Sequence, residues 1–282
     1  MSSILLAPAR PSRRIGSPLL VGALVFLALM VVLGILGPFI SPVSPYAVDI
    51  LNVYAPSSSA HWLGTDDTGR DILSRILVGI GPTLAGPALV IAIATSFAVV
   101  LAVAAAWFGG AVDAIISRAL DVMFAIPGLI LAILVVAVVG VGFGAPVVAL
   151  AIAFTPTIAR VLRAAALRER NLAYVAALQV QGASGWRICV RHIVPNLLPL
   201  IIVQIAVGYG YALLDLAAIS YLGLGTQPPG SDLGLLIANG QPAILAGYPQ
   251  QSIYAAVLVV LIILATNIVG DSISNRFEVS ER

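Results

Sequence analysis

The 282-residue sequence contains no lysine, so arginine supplies all 14 of its basic residues. A GxxxxGK[ST] phosphate-binding loop requires that lysine, and its absence excludes ATP hydrolysis by such a loop. The single cysteine, Cys189, excludes an intrachain disulfide, and His61 and His192 are the only histidines. The sequence therefore predicts neither a metal centre nor a redox pair. It also shows no nucleophile–base arrangement that would indicate an enzyme.

Charge is scarce as well: 9% of the residues are charged and 60% are hydrophobic. A transmembrane helix needs about 20 apolar residues, and several uncharged stretches reach that length. The stretch between Asp121 and Arg160 would make one helix of roughly 57 Å, too long for one crossing, so we expect a break at Gly140–Pro146. We predict an all-α polytopic membrane protein with six transmembrane helices. The predicted spans are 18–40, about 83–107, two within 121–160, about 197–222 and about 252–269.

The arginines predict which segments are cytoplasmic. Twelve of the 14 lie before the first span, between spans two and three, between spans four and five, or after the sixth; only Arg70 and Arg75 lie on the other side. Because basic residues are retained in the cytoplasm, both termini are predicted to be cytoplasmic. The predicted sections are a cytoplasmic segment 1–17, an external loop 41–81, a five-helix core 82–271 with a cytoplasmic loop at about 160–196, and a cytoplasmic tail 272–282.

The end of the external loop has helical periodicity. From Thr68 to Ile80 apolar residues recur at helical spacing, with Asp71 and Arg75 as an i,i+4 pair on the expected polar side. This pattern predicts a short amphipathic helix on the outer membrane surface or on neighbouring helices. An alternative with equal support is a helix that leads directly into the second span.

The longest cytoplasmic loop, Arg160–Asn196, carries six arginines and one glutamate. An apolar helical stretch around Tyr174 is interrupted by Gly182-Ala-Ser-Gly185, a second amphipathic piece follows, and Pro195 closes the loop before the fifth span. This order of helix, glycine break, helix and proline indicates an interaction segment. Composition alone favours a basic loop that only retains the topology.

The fifth span has the most polar face within the bilayer. Gln204, Gly208, Tyr211 and Asp215 are spaced by four, three and four residues, which places them on one side of a helix. Ionisable groups at membrane depth are costly and usually face a bundle interior or a wet cavity. We predict that Gln204, Tyr211 and Asp215 line a translocation pathway. Interhelical hydrogen bonding is the competing interpretation.

Four motifs occur in order along the chain. They are His61-Trp-Leu-Gly-Thr-Asp66 with Gly69-Arg-Asp71 and Leu73-Ser-Arg75; Gly109-Gly110 with Asp113, Arg118, Asp121 and Pro127; Ser220-Tyr-Leu-Gly-Leu-Gly225 with Gln227-Pro-Pro229; and Asn267-Ile-Val-Gly-Asp271. Together they resemble permease subunits of binding-protein-dependent ABC importers, in particular the C-type subunit of the dipeptide, oligopeptide and nickel group. The resemblance extends from about Pro18 to Asp271 and implies the type I ABC importer permease fold.

The resemblance includes the cytoplasmic coupling motif of that family, whose spacing Ala177, Gly182, Pro195 and Asn196 fit, although Ala176 and Leu178 stand where it carries Glu and Ala. It implies that a helix within about 167–191 sits in a groove of an ATPase. Aliphatic and tyrosine side chains would fill the groove, arginines would contact its acidic rim, Gly182 would allow the turn and Pro195 would fix the start of span five. The implied coupling residues are Tyr174, Val175, Ala177, Leu178, Gly182, Arg187, Arg191 and Pro195.

The resemblance also implies the partners. They are a second homologous permease subunit, ABC ATPase subunits that carry ATP and magnesium, an extracytoplasmic substrate-binding protein and the lipid bilayer of a bacterial cell membrane. No cofactor on this chain and no nucleic-acid partner is expected. Asp66, Arg70 and Asp71 are expected to contact the binding protein or the partner permease, and Asp121 and Asp271 to pair with the cytoplasmic arginines. Peptides are the implied substrates; nickel or another small solute, or less favoured an ion-coupled secondary transporter, remain alternatives.

Overall fold

The computed structural model describes residues 18–280, with side chains as far as Arg276. The predicted segment 1–17 and the arginines Arg10, Arg13, Arg14 and Arg282 lie outside the described residues. The helices are α1 (Pro18–Ile40), α2 (Ile72–Phe108), α3 (Gly110–Phe124), α4 (Gly128–Val139), α5 (Gly144–Arg170), α6 (Ala173–Val180), α7 (Gly185–Ile188), α8 (Val194–Tyr221), α9 (Leu233–Asn239), α10 (Gln241–Leu245) and α11 (Gln250–Ser280). One 3₁₀ turn covers Ile50–Asn52 and one π turn covers Cys189–Ile193. The all-α architecture predicted from the sequence is confirmed.

Helix α2 is the centre of the bundle and packs against α5, α8 and α1. Four alanines on α2, Ala94, Ala98, Ala102 and Ala106, recur every four residues and are completely buried or nearly so. They belong to one core cluster with Ala159, Leu162 and Ala166 of α5. Small residues allow close backbone approach, and in lipid such packing replaces the hydrophobic effect as the force that joins helices.

The third span departs from the sequence prediction. Five helices are long and apolar enough to cross a membrane among the described residues, and a sixth span requires counting α3 and α4 as one helix bent by 85°. The bend falls at Ala125–Pro127, where proline disfavours helical backbone in the preceding residue. The predicted break between the third and fourth spans is confirmed, because α4 ends at Val139 and α5 begins at Gly144.

The predicted amphipathic helix in the external loop is not a separate element. Helix α2 runs without interruption from Ile72 through the second span, so the lead-in alternative is the correct one. Ile72, Ile76 and Ile80 are buried against α1, α8, α9 and α11 instead of resting on the membrane surface. Asp71 and Arg75 do not pair, because Arg75 turns into the protein interior and binds another carboxylate. The remainder of the loop is irregular apart from the turn at Ile50–Asn52.

Pro195 does not begin the fifth span. Residues Gly185–Tyr221 form one continuous apolar helical stretch that passes through Pro195 and Pro199. A proline removes one helical hydrogen bond and its ring clashes with the carbonyl four residues earlier, here that of Arg191. The π turn at Cys189–Ile193 lies at this position and widens the helix by one residue. The helix therefore accommodates the proline where the sequence predicted a boundary.

Two short helices between spans five and six were not predicted. Asp232 caps α9 by accepting the backbone N–H of Leu235 at 2.9 Å, and Leu233 and Leu236 are fully buried. Ser220 of α8 donates to the other Asp232 carboxylate oxygen at 2.6 Å. Helices α9 and α10 thus fold back onto α8 and α11.

Candidate functional site

The arginine-rich end of the bundle, formed by the last turns of α2 and α5 together with α6, α7 and the π turn, is here called the basic end. Gly182 separates α6 from α7 with φ of +79°. The Ala183 N–H donates to the Leu178 carbonyl at 3.0 Å, which closes the end of α6 as in a Schellman motif. Ser184 then caps α7 by accepting the Arg187 N–H. The two helices are therefore joined at a fixed angle by a turn that a β-branched residue adopts only with strain.

Three polar side chains from three helices hold α6 in place. Tyr174 of α6 donates its hydroxyl to Glu169 of α5 at 2.6 Å, and the Asn196 amide of α8 donates to the same carboxylate oxygen at 2.6 Å. Partial burial and this bond from the hydroxyl to a carboxylate raise the pKa of Tyr174 to about 12. The hydroxyl therefore stays protonated at neutral pH and keeps its role as a donor. Sequence reasoning did not single out Glu169, although it is the one acid in this loop.

The structure does not place all the groove-filling side chains on the surface. Val175 is 1% exposed and lies in the core cluster of the basic end, because α6 turns this side toward α5 and the π turn. Tyr174 and Leu178 are half-buried against the same cluster. The prediction that Val175 fills a partner's groove is therefore wrong. Most of the remaining predicted coupling residues are exposed, namely Ala177, Gly182, Arg187, Arg191 and Pro195.

Large exposed apolar side chains occupy the outer side of α6 and α7. Val180 is 89% exposed and Trp186 is 80% exposed, and Leu172, the residue before α6, is exposed as well. The inner side is anchored: a Cβ atom on Gly185 would lie 2.7 Å from the Trp107 ring of α2. Arg170 of α5 donates to the Ala106 carbonyl at 2.7 Å and lies beside the same ring. The exposed surface of α6 and α7 is thus seated on a rigid base.

Two ion pairs connect α3 to α5 at the basic end. Arg163 makes a bidentate pair with Asp113, with both N···O distances at 2.5 Å. Arg160 binds Asp121 at 2.7 Å and lies over the Phe124 ring at 4.3 Å. The expected pairing of Asp121 with an arginine of the loop at about 160–196 is confirmed. The same expectation for Asp271 is wrong, since no described side chain pairs with it.

At the opposite end of the bundle, Asp66 organises the loop before α2. It is 1% exposed and accepts hydrogen bonds from the backbone and side chains of Thr68 and Arg70 and from Arg75 at 2.7 Å. Burial alone would raise the pKa of Asp66, but the hydrogen bonds from Thr68 and Arg70 outweigh it and the pKa lies below its ordinary value. Arg75 is equally buried, and its Nε and Nη2 atoms have no partner among the described residues.

Asp71 has a second structural role in this loop. Its carboxylate accepts the Ser74 N–H at 2.8 Å, which caps α2, and its other oxygen lies 3.0 Å from His61 Nδ1. Asp66 and Asp71 are both buried and Arg70 is largely covered. Asp66 and Asp71 therefore satisfy the backbone of an irregular loop and, being buried, do not offer the expected external contact. Arg70 is held against Asp66 and keeps a small exposed fraction, so its contact with a partner stays a prediction. The loop also stacks Tyr54 on Tyr248 beyond α10, with ring centroids 4.6 Å apart.

The structure separates the members of the predicted polar face of span five. Gly208 is buried, and a Cβ there would lie 2.9 Å from Ile91 of α2, so this position serves helix packing. Tyr211 is 62% exposed, and Gln204 and Asp215 are half-buried. Tyr211 lines a cavity of about 260 Å³ between α8 and α11, together with Asn267 and Asp271. A larger apolar cleft of about 770 Å³ between α1, α2, α8 and α11 contains none of the predicted pathway residues. Residues 18–276 contain no group of three potential metal ligands.

Known proteins resemble this chain over most of its length. Residues 96–280 match the family described as binding-protein-dependent transport system inner membrane component. A protein of Escherichia coli K12 named "Probable D,D-dipeptide transport system permease protein DdpC" is 36% identical over 263 residues, covering 93% of this chain and 88% of that protein. The glutathione transport system permease protein GsiD of Pectobacterium atrosepticum is 37% identical over 78% of this chain and 73% of its own length. The dipeptide transport system permease protein DppC of Haemophilus influenzae is 33% identical over 90% and 88%.

The family match spans the helices that form the basic end and the cavity between α8 and α11, and the relatives extend the similarity to the loop before α2 and to α1. The resemblance inferred from the four motifs is thereby confirmed. This chain belongs to the family of binding-protein-dependent transport system inner membrane components.

Proposed function

We propose that this chain is half of the membrane pathway of an ATP-driven importer of dipeptides or oligopeptides. A second, homologous permease would supply the other half, ABC ATPase subunits would bind and hydrolyse ATP with magnesium, and an external binding protein would deliver the substrate. The relatives named as dipeptide and D,D-dipeptide transport permeases support a peptide substrate. The arginine distribution supports a cytoplasmic position for the basic end and both termini.

The observation that carries the proposal is the exposed surface of α6 and α7. Val180 and Trp186 expose apolar surface, and Tyr174 holds the inner side of α6. Arg187 and Arg191 are exposed and have no ion pair among the described residues. An apolar patch with arginines and a rigid base suits docking into a groove with an acidic rim. A basic loop that only retained topology would require neither the fixed turn at Gly182 nor the buried anchor. We therefore assign this surface to contact with the ATPase.

The test compares two glycine substitutions in the assembled complex reconstituted in liposomes. Gly182→Val strains the turn between α6 and α7, whereas Gly247→Val strains a turn at the opposite end; both glycines have positive φ and open space around them. We expect Gly182→Val to retain ATP hydrolysis and assembly but to lose uptake of a labelled dipeptide. Gly247→Val is expected to retain both. Normal uptake by the Gly182→Val complex would contradict the coupling assignment, and uptake that persists without ATP would contradict the importer class.

A further inference from the structure

Three polar side chains line one cavity between α8 and α11, and a fourth lies one helical turn beyond it on α8. They are Asp215 and Tyr211 on α8 and Asn267 and Asp271 on α11, and together they are here called the polar track. Helix α8 approaches α11 closely where they cross: a Cβ on Gly210 would lie 2.5 Å from Asn267 Oδ1. Tyr211, Asn267 and Asp271 line the same cavity, and Asp215 is one turn further along the face of Tyr211. From the level of the crossing at Gly210 to Asp215, five residues later, the track extends roughly 7–8 Å along the helix axis.

None of the four side chains has a hydrogen bond or an ion pair with the side chains or backbone described for residues 18–276. Several other polar groups in the spans are satisfied inside the protein. Thr155 and Thr266 donate to carbonyls one turn earlier, and Tyr209, two residues from Tyr211, donates to the Leu84 carbonyl at 3.0 Å. Unsatisfied polar groups facing lipid are costly, so the polar track must face water, a ligand or another chain.

The carboxylates give the polar track its chemical character. At the basic end, Asp113 and Asp121 are each neutralised by an arginine, and Glu169 accepts two hydrogen bonds. Asp215 and Asp271 have no such partner among the described residues, and no basic residue lines the cavity beside Asp271. Two unpaired carboxylates at the two ends of the polar track attract a cation and repel an anion. Tyr211 and Asn267 between them offer a hydroxyl and an amide, which bind polar main-chain groups of a substrate.

We infer that the polar track binds the ammonium group of the transported substrate, and that Asp271 receives it at the cytoplasmic mouth. The inference rests on the proposed function and adds a chemical class: solutes with a free amino group, as peptides have at neutral pH. Asp215 is the outer carboxylate and Asp271 the inner one, so the positive end of the substrate passes from one negative charge to the next while Asn267 lies between them.

The test measures charge preference without requiring transport. In the assembled complex in nanodiscs, Cys189→Ala removes the native thiol of this chain and Asn267→Cys places one in the polar track. The rate of labelling by a cationic trimethylammonium methanethiosulfonate is divided by the rate of labelling by an anionic sulfonate methanethiosulfonate. This ratio is then compared with the ratio of the rates at which the two reagents react with 2-mercaptoethanol in solution. Electrostatic focusing in a charged cleft raises association rates by about ten- to a thousand-fold, so we expect at least a tenfold preference for the cation. Asp271→Asn and Asp215→Asn should each reduce that preference.

The substrate class is tested in the same assay. Alanyl-alaninamide carries the ammonium group and should slow labelling of the cysteine, whereas N-acetyl-alanyl-alaninamide lacks it and should not. Equal rates for the two reagents, absence of labelling, or equal protection by the two amides would overturn the inference; absence of labelling would indicate that a helix of another chain covers the polar track. Labelling requires no ATP, so a charge preference in a complex that fails to import peptide would refute the proposed function alone.

Discussion

The buried carboxylate Asp66 offers a quantitative test of how the loop before α2 is held. Asp66→Asn preserves the size of the side chain but removes the only carboxylate that binds the buried guanidinium of Arg75 among the described residues. Two nitrogens of that guanidinium already have no partner, so the substitution leaves an uncompensated buried charge. Removing one partner of a buried ion pair costs about 3–5 kcal/mol. The adjacent Asp67→Asn is the matched control, because the Asp67 side chain is 40% exposed and its contact with Arg70 is long, at 3.7 Å. It is expected to change stability by less than about 0.5 kcal/mol.

The assay is hydrogen exchange of the Thr68 and Arg70 amides, which both donate to Asp66. At 1.36 kcal/mol for each factor of ten, Asp66→Asn should accelerate their exchange by roughly a hundred-fold to a few thousand-fold. Arg75→Met should reduce stability less than Asp66→Asn does, because Asp66 still accepts the hydrogen bonds from Thr68 and still pairs with Arg70. The double variant should be more stable than Asp66→Asn alone, because it no longer buries an unpaired guanidinium. Equal exchange in the Asp66→Asn and Asp67→Asn proteins, or a double variant weaker than either single one, would refute this reasoning.

Three further predictions concern the same packing. The pKa of Asp66 is lowered by folding, so the carboxylate contributes fully to stability above its ordinary pKa of 3.8. This contribution is lost as the pH falls through the lower pKa of the folded protein. The difference in melting temperature between the wild-type and Asp66→Asn proteins should therefore shrink below that pH. Tyr174→Phe removes the hydrogen bond to Glu169 and should lower the free energy of unfolding by about 1 kcal/mol. Tyr46→Phe, at an exposed site, should change it little. Equal shifts of the two variants in denaturant titrations would contradict the claim that Tyr174 anchors α6. Gly37→Ala places a Cβ 2.2 Å from the Leu77 carbonyl and should separate α1 from α2, measured as faster proteolysis of α1, whereas Gly22→Ala adds a methyl to open space and serves as the control.

The features that could be predicted from the sequence are those that depend on local composition, namely most of the spans and the break between α4 and α5. Uncharged stretches located most of the spans, and the glycines around Gly140 separated α4 from α5 because a helix tolerates glycine poorly. Prediction from the sequence failed where tertiary contacts override local signals. Pro195 indicates a helix start by itself, yet the π turn accommodates it inside a continuous helix. Asp71 and Arg75 have the spacing of a surface ion pair, yet burial directs each of them to another partner. An i,i+4 spacing gives possible neighbours and does not give the direction of burial.

Helix α6 shows why the direction in which side chains point was predicted less well than the helix itself. Val175 and Val180 are identical in type and five residues apart on α6, yet Val175 is 1% exposed and Val180 is 89% exposed. Helix α6 has only eight residues, and the same types of apolar residue occur in its buried and its exposed positions. Periodicity therefore does not distinguish the side chains of the core from those on the surface. What distinguishes them is the tertiary anchor: Tyr174 is tied to α5 and α8 through Glu169 and Asn196, which fixes the rotation of α6 and turns Val175 inward. Val180 and Trp186 are the side chains that face outward. If the proposed ATPase contact is correct, their substitution by Ser should weaken binding of the ATPase without a loss of thermal stability, whereas Val175→Ser should reduce stability first.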